Sequence, residues 1–257
     1  DKKPQQIESF TDERSEGQPL YVGVLVDTSP SAIAKLKFAQ EAAMNFLHTV
    51  LRPRQDKAAL ITFDHEIILR QDFTDQLDLV DWAMKNLKKP GTRTALYDAV
   101  WEFCNELMRG VVGRRTLVVI SDGDDTYSRA TLREAIDIAQ ITETTIFAIS
   151  TKAGFSGAVP GMEAGQVAGE GDRALMKLCE ETGGRAFFTG DSDALEQSFT
   201  KIATEVRSQY VVTYKPTNDR YDGRFRRIEV KLARGGDGIK VHAKRGYSAQ
   251  SDSAPPR

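Results

Sequence analysis

The feature that most constrains this chain is a regular exchange between two hydrophobic periods. Residues 20–26 (LYVGVLV) form a short, Val-rich apolar run closed by Asp27, as suits a strand buried on both faces. Over residues 31–52 the apolar positions move to helical spacing: Ile33, Leu36, Ala39, Ala43, Phe46, Leu47 and Val50 share one stripe, and Pro53 stands where it cannot extend a helix. The exchange then repeats. Strands are expected at 58–63, 67–69, 116–120, 145–149 and 186–188. Helices are expected around Leu77–Leu87, stopped by Pro90-Gly91, around Leu96–Leu107, ended by Gly110, and over 131–140, 173–182 and 192–207. Strands alternating with helices build a mostly parallel sheet. The expected fold is α/β, a doubly wound six-stranded sheet with helices on both faces.

The pattern changes after Arg207. Segments 210–214, 226–232 and 239–244 read as strands separated by turns at Asn218, Asp222-Gly223 and Gly235-Gly236. Ile228, Val230 and Leu232 alternate with Arg227, Glu229 and Lys231, as in a half-buried antiparallel strand. The expected organisation is a polar segment over 1–17 with a short strand near 7–10, an αβ domain over 18–207, a small antiparallel β extension over 208–248 and a disordered tail over 249–257. Residues 151–171 are a Gly-rich loop, long for an α/β connection, and read either as a mobile insertion or as a lid over a ligand.

Composition excludes several classes. The 257 residues carry 35 Lys and Arg against 37 Asp and Glu, a formal charge of −2, which argues against a dedicated nucleic-acid binder. No stretch reaches the ~18 apolar residues that cross a bilayer. The polar start at Asp1, without Met, reads as that of a fragment whose export signal lies out of view. His48, His65 and His242 are scattered and no HExxH or CxxC occurs, so a zinc site is not expected. Cys104 and Cys179 sit in apolar helical patterns and read as buried free thiols, with a disulfide or a catalytic thiol as alternatives.

In open α/β sheets ligands bind beyond the carboxyl ends of strands. Three oxygen-rich segments fall there or on a neighbouring loop: Asp27-Thr28-Ser29-Pro30-Ser31, the loop at Thr92-Arg93-Thr94, and Ser121-Asp122-Gly123-Asp124-Asp125. In a tight loop Asp27, Ser29 and Ser31, at i, i+2 and i+4, can point at one centre. Carboxylates and hydroxyls without His or Cys suit a hard divalent cation, Mg²⁺ first, with Mn²⁺ or Ca²⁺ as alternatives. Taken singly, each segment also reads as a helix cap or turn.

The set Asp27-x-Ser29-x-Ser31, then Thr94, then Asp122-Gly123 resembles the metal-ion-dependent adhesion site of von Willebrand factor type A domains, over about residues 18–207. In finer detail the chain resembles bacterial von Willebrand-type-A-related proteins of the Acidobacteria, through Gln6-Ile7-x-Ser9-Phe10, the loop Thr94–Ala99, and the ending Gln209–Pro216, Gly223–Val230 and Gly246-Tyr247. The resemblance implies a non-catalytic, extracytoplasmic adhesion or scaffold module. Ser29 and Ser31 would coordinate the metal directly, and Thr94 directly once a ligand is bound. Asp27 and Asp122 would bind directly or through waters, and a protein partner would present Asp or Glu to the open position. Pro30 and Ala32 depart from the usual Gly and frequent Met. Thr94 is preferred over Thr92 because the helical stripe starts at Leu96. Asp124 and Asp125 read as solvated rim charges.

Two other classes compete. Asp27 after a strand and the Ser121–Asp125 loop faintly resemble haloacid-dehalogenase-type phosphotransferases, but Ser29 stands where their second Asp supplies general acid/base chemistry. The basic run that includes Arg220, Arg224, Arg226, Arg227, Lys231 and Arg245 could attract an anionic polymer or membrane surface. Lys and Arg on strands also block edge pairing.

Overall fold

The computed structural model describes residues 3–12, 17–87, 91–151, 169–188, 192–233 and 241–249. The strands of the αβ body follow a first strand, β1 (Ile7–Asp12). They are β2 (Leu20–Asp27), β3 (Lys57–Phe63), β4 (Ile67–Thr74), β5 (Arg114–Ser121), β6 (Thr145–Ser150) and β7 (Ala186–Phe188). They form one sheet in the order β4-β3-β2-β5-β6-β7, parallel throughout except for β4, which runs antiparallel to β3 at the edge. The helices are α1 (Ile33–Val50), α2 (Leu77–Lys85), α3 (Leu96–Glu102), α4 (Leu132–Ile141), α5 (Glu170–Thr182) and α6 (Ser192–Arg207). The doubly wound architecture expected from the sequence is the one observed.

Strand alternation sorts the core into two layers. Val22, Val24 and Val26 of β2, with Val118 and Ile120 of β5, face α1, α2 and α6. Leu25, Leu117 and Val119 face α3, α4 and α5. Continuous apolar runs are therefore required, because both sides of each inner strand are covered. Gly23 is needed for close packing: a Cβ there would sit 2.1 Å from Cζ of Phe103. Phe103 opens a π-helical stretch, Phe103–Met108, that continues α3 and that the 3.6-residue period does not reveal. Thr131 and Glu134 cap α4 reciprocally, and Gly183 ends α5 with φ +90°.

The chain leaves β2 toward β3 on one side, while β5 leads on to β6 on the other. The loops after β2 and β5 thus diverge at the centre of the sheet. Such a switch point is where open α/β sheets form their binding crevice.

The remaining strands form two separate antiparallel ribbons. β1 pairs with β8 (Tyr210–Tyr214), and Phe10 stacks on Tyr210 with ring centroids 5.2 Å apart. β9 (Phe225–Arg227) pairs with β10 (Gly246–Ser248). The second ribbon lies against α4, where the Arg133 guanidinium sits 4.8 Å from the centre of the Phe225 ring.

Three expectations are corrected. The strand over 226–232 shrinks to 225–227. One further backbone bond joins Ile228 N–H to the Arg245 carbonyl, and beyond it Val230 and Leu232 are exposed; their alternation has no buried face to serve. The strand over 239–244 is replaced by one at 246–248 among the described residues, which exclude 234–240. The Gly-rich loop is shorter than 151–171 at its far end, because Glu170 already begins α5 and Gly171 and Asp172 are buried in its first turn. Residues 152–168 and 250–257 lie outside the described residues, as do the loop and tail readings that fall on them. Cys104 and Cys179 are both free and buried. Burial pushes the Cys104 thiol up to about 12 and the Cys179 thiol well above its ordinary value, so neither is poised as a nucleophile.

Candidate metal centre

The loop after β2 is organised by Asp27, which is buried. Its Oδ1 accepts the Ser29 backbone N–H at 2.8 Å and its Oδ2 accepts the Ser121 hydroxyl at 2.6 Å. The Ser121 oxygen in turn accepts the Gly123 N–H at 3.0 Å. One hydroxyl therefore ties the loop after β5 to the loop after β2. Burial raises the Asp27 carboxyl from 3.8 to about 6; the hydrogen bonds from Ser121 and Ser29 oppose the rise, and the Asp122 charge adds to it. A buried carboxylate whose proton affinity is raised by burial and by a second carboxylate favours a cation beside it.

Ser29 and Ser31 extend the cluster. Their hydroxyl oxygens are 3.1 Å apart, with Ser29 buried and Ser31 at the surface. That spacing serves a hydrogen bond. It also matches adjacent corners of an octahedron, which lie about 3.0 Å apart for ligands at ~2.1 Å. Pro30 is exposed and leaves the Ser29–Ser31 approach intact. Asp122 is buried, and its Oδ1 accepts the Asp124 N–H at 3.2 Å. The loop following it is closely packed. Gly123 has φ +78°, a conformation that favours glycine, and a Cβ on Gly171 would meet the Asp122 carbonyl at 2.7 Å.

Thr94 is buried whereas Thr92 is exposed. The Thr94 N–H donates to the Thr126 hydroxyl at 3.0 Å, and its carbonyl accepts the N–H groups of Thr126 and Tyr127. The next residue, Ala95, donates its N–H to the Asp64 carbonyl at 2.7 Å. The Asp64 side chain completes the link to the first loop. Its Oδ2 lies 3.2 Å from the Thr28 hydroxyl and accepts the Gly91 N–H at 2.9 Å, while Oδ1 accepts the Glu66 N–H at 2.9 Å. Gly91 permits this approach: a Cβ there would stand 2.5 Å from the Asp64 carboxyl carbon.

The fold thus brings Asp27, Ser29, Ser31 and Asp122 to the switch point and ties the Thr94 loop to the loops on either side of it. Asp125 is not a solvated charge. It is half-buried and accepts the Ser128 hydroxyl at 2.6 Å and the Tyr97 N–H at 3.3 Å, which fixes the start of α3. Sequence reasoning passed over Asp64, and it named Ser121 only as part of its oxygen-rich segment, without a role. A signal for Asp64 existed, since it follows Phe63 at the end of β3, the same strand-end position as Asp27. Among the described residues no three His, Cys, Asp or Glu side chains gather as a metal cluster. The donor set is two carboxylates with neutral hydroxyls, which fits a hard cation that keeps some of its own charge.

Residues 22–124 match the profile of the von Willebrand factor type A domain. No curated protein sequence matches the chain. Among solved structures, it is similar to an aerotolerance-related membrane protein from Bacteroides fragilis, with TM-score 0.56 and 15% identity over 72% of this chain and 98% of that one. It is also similar to a von Willebrand factor type A protein from Catenulispora acidiphila, with TM-score 0.58 and 14% identity over 80% and 52% of the two chains. A third similar structure is proximal thread matrix protein 1 from the mussel byssus, with a zinc-occupied metal-ion-dependent adhesion motif, at TM-score 0.61 and 12% identity over 80% and 49%. The match spans about half the length of these last two proteins. At such identities the structures speak to the fold, which is that of von Willebrand factor type A proteins, and the likeness in sequence to that family lies in residues 22–124.

Proposed function

We propose that this protein is a non-catalytic, extracytoplasmic binding module that holds a divalent cation at Asp27, Ser29, Ser31, Thr94 and Asp122 and engages an acidic residue of a protein partner there. The observation that carries the reading is the Ser29–Ser31 hydroxyl pair, 3.1 Å apart, beside the buried Asp27 at the switch point of the sheet. Ser29 and Ser31 supply neutral oxygens, and Asp27 and Asp122 supply charge from the buried side. Thr94, held by its backbone, supplies a hydroxyl from the third loop. When bound, the cation offers an incompletely neutralised positive charge to a carboxylate. Mg²⁺ suits this oxygen set best. The mussel protein with zinc at its motif supports a divalent metal in this fold without selecting the ion. Likeness to a bacterial membrane protein supports a place outside the cytoplasm.

The phosphotransferase alternative lacks its proton-transfer group, since Ser29 cannot replace a carboxylate as general acid or base. Binding of anions by the basic C-terminal segment is disfavoured because several of its cations are engaged internally. Arg226 donates to the Asn218 and Arg220 carbonyls, Arg245 pairs with Glu180 and Lys231 pairs with Glu229 at 3.1 Å. The deciding experiment is calorimetric titration of the chelator-treated protein with Mg²⁺ and Mn²⁺, beside Asp27→Ala and Ser29→Ala. Saturable one-site binding lost in both variants is expected. Binding indifferent to both substitutions would refute the assignment.

A further inference from the structure

A cavity of about 310 Å³ opens beside the Thr94 loop. It begins at Ala95, the residue after Thr94, is lined also by His65 and Ile67, and runs along one face of α3 past Asp98, Trp101 and Glu102. The loop after β5 closes it with Tyr127 and Arg129. A partner residue coordinated near Thr94 would have its neighbour at the mouth of this cavity.

The two carboxylates in the cavity differ. Asp98 is spent on the backbone: its Oδ1 accepts the Ala130 N–H at 2.7 Å, and its Oδ2 accepts the Arg129 N–H at 2.9 Å. Glu102, one turn further along, has no hydrogen bond or ion pair with a described residue. Partial burial first, and then the charges of Glu106 and Asp98, raise its proton affinity. The walls offer the rings of Trp101 and Tyr127 and the imidazole of His65, which lies 2.8 Å from Asp64 Oδ1. Tyr127 already holds one guanidinium, that of Arg93, 4.9 Å from its ring centre. Aromatic faces beside an unpartnered carboxylate suit a cation. Arg129, and Arg93 on the Tyr127 ring, are the opposing charges, yet an anion entering would meet both Glu102 and Asp98.

We propose that this cavity receives a basic side chain, arginine or lysine, that neighbours the metal-seeking carboxylate of the protein partner. The inference names the partner's chemistry and rests on the proposed metal site for its place in recognition. Selectivity would come from Glu102 at one end and from Trp101 and Tyr127 along the stem.

The test uses agmatine, a dication that carries a guanidinium and an ammonium, with butylurea as the neutral counterpart of its guanidinium arm and glutarate as an anionic probe. Binding is followed by NMR at the Trp101 indole N–H and the Ala95, Glu102 and Arg129 amides, with and without Mg²⁺. Agmatine is expected to saturate these shifts at roughly 1–10 mM, at least about tenfold tighter than butylurea, and Glu102→Gln is expected to weaken it about tenfold. Glu102 is at the surface, so the variant is expected to keep the fold. Unsaturable shifts, equal binding of butylurea, tighter binding of glutarate, or an indifferent Glu102→Gln would each overturn the proposal. Mg²⁺ binding without agmatine binding would refute the cavity assignment alone. Agmatine binding without Mg²⁺ binding would support the cavity and refute the metal module.

Discussion

The Ser121 hydroxyl donates to Asp27 Oδ2 at 2.6 Å, joining the ends of the neighbouring strands β5 and β2. This contact orients a buried carboxylate whose other oxygen already shapes the Ser29 turn. Ser121→Ala removes the donor from one lone pair and the acceptor from Gly123 N–H. Loss of such an orienting partner typically lowers metal affinity roughly 10–100-fold. Calorimetry with Mg²⁺ should show that loss. An unchanged affinity would mean that Ser121 does not orient Asp27.

Asp27 also predicts a pH dependence. Its carboxyl titrates near 3.8 when unfolded and is raised to about 6 by burial in the folded protein. Between about pH 4 and 6 the folded chain holds a proton that the unfolded chain has released. Stability therefore falls as pH rises through that window and levels off above it, by roughly 3 kcal/mol from this group. Urea denaturation in chelator should show Asp27→Asn gaining on the native sequence across the window, with added Mg²⁺ restoring the native protein above it. Parallel curves for the two proteins would contradict this account.

Asp64 clamps the first loop to the third. Asp64→Ala strands the Gly91 and Glu66 N–H groups and leaves the Thr28 hydroxyl one acceptor short. The expected cost is about 2–4 kcal/mol, together with weaker Mg²⁺ binding as the Thr94 loop loosens. Gly91→Ala forces a Cβ to 2.2 Å from His65 Nδ1 and should cost about 1–3 kcal/mol with the same loss of affinity. Stability loss with unaltered metal binding would confine Asp64 to a structural role.

At the opposite end of the sheet, the buried Asp56 accepts the Leu20 N–H at 2.8 Å and pairs with Arg207 at the end of α6. Arg207→Met leaves that carboxylate without its counter-ion and should cost roughly 3–5 kcal/mol. Adding Asp56→Asn should recover part of the loss in thermal denaturation. Additive effects would show that the two residues do not act as a pair.

The order and type of the elements, and the oxygen-rich chemistry of Asp27, Ser29, Ser31 and Asp122, could be read from the chain because periodicity and loop composition are local properties. The π-helical stretch at Phe103 was not legible, since the apolar positions Leu96, Val100, Phe103 and Leu107 keep the ordinary helical period across it. Nor was Asp125 as a backbone anchor, because Tyr97 becomes its neighbour only when two loops meet. The sequence alone determined that this would be a doubly wound α/β chain with hydroxyls and carboxylates at its strand ends. Only the tertiary structure decided that β2 and β5 lie side by side. Strand order is set by packing between segments far apart in the chain, and it put Ser121 on Asp27, Asp64 on Gly91 and Gly171 against the Asp122 loop.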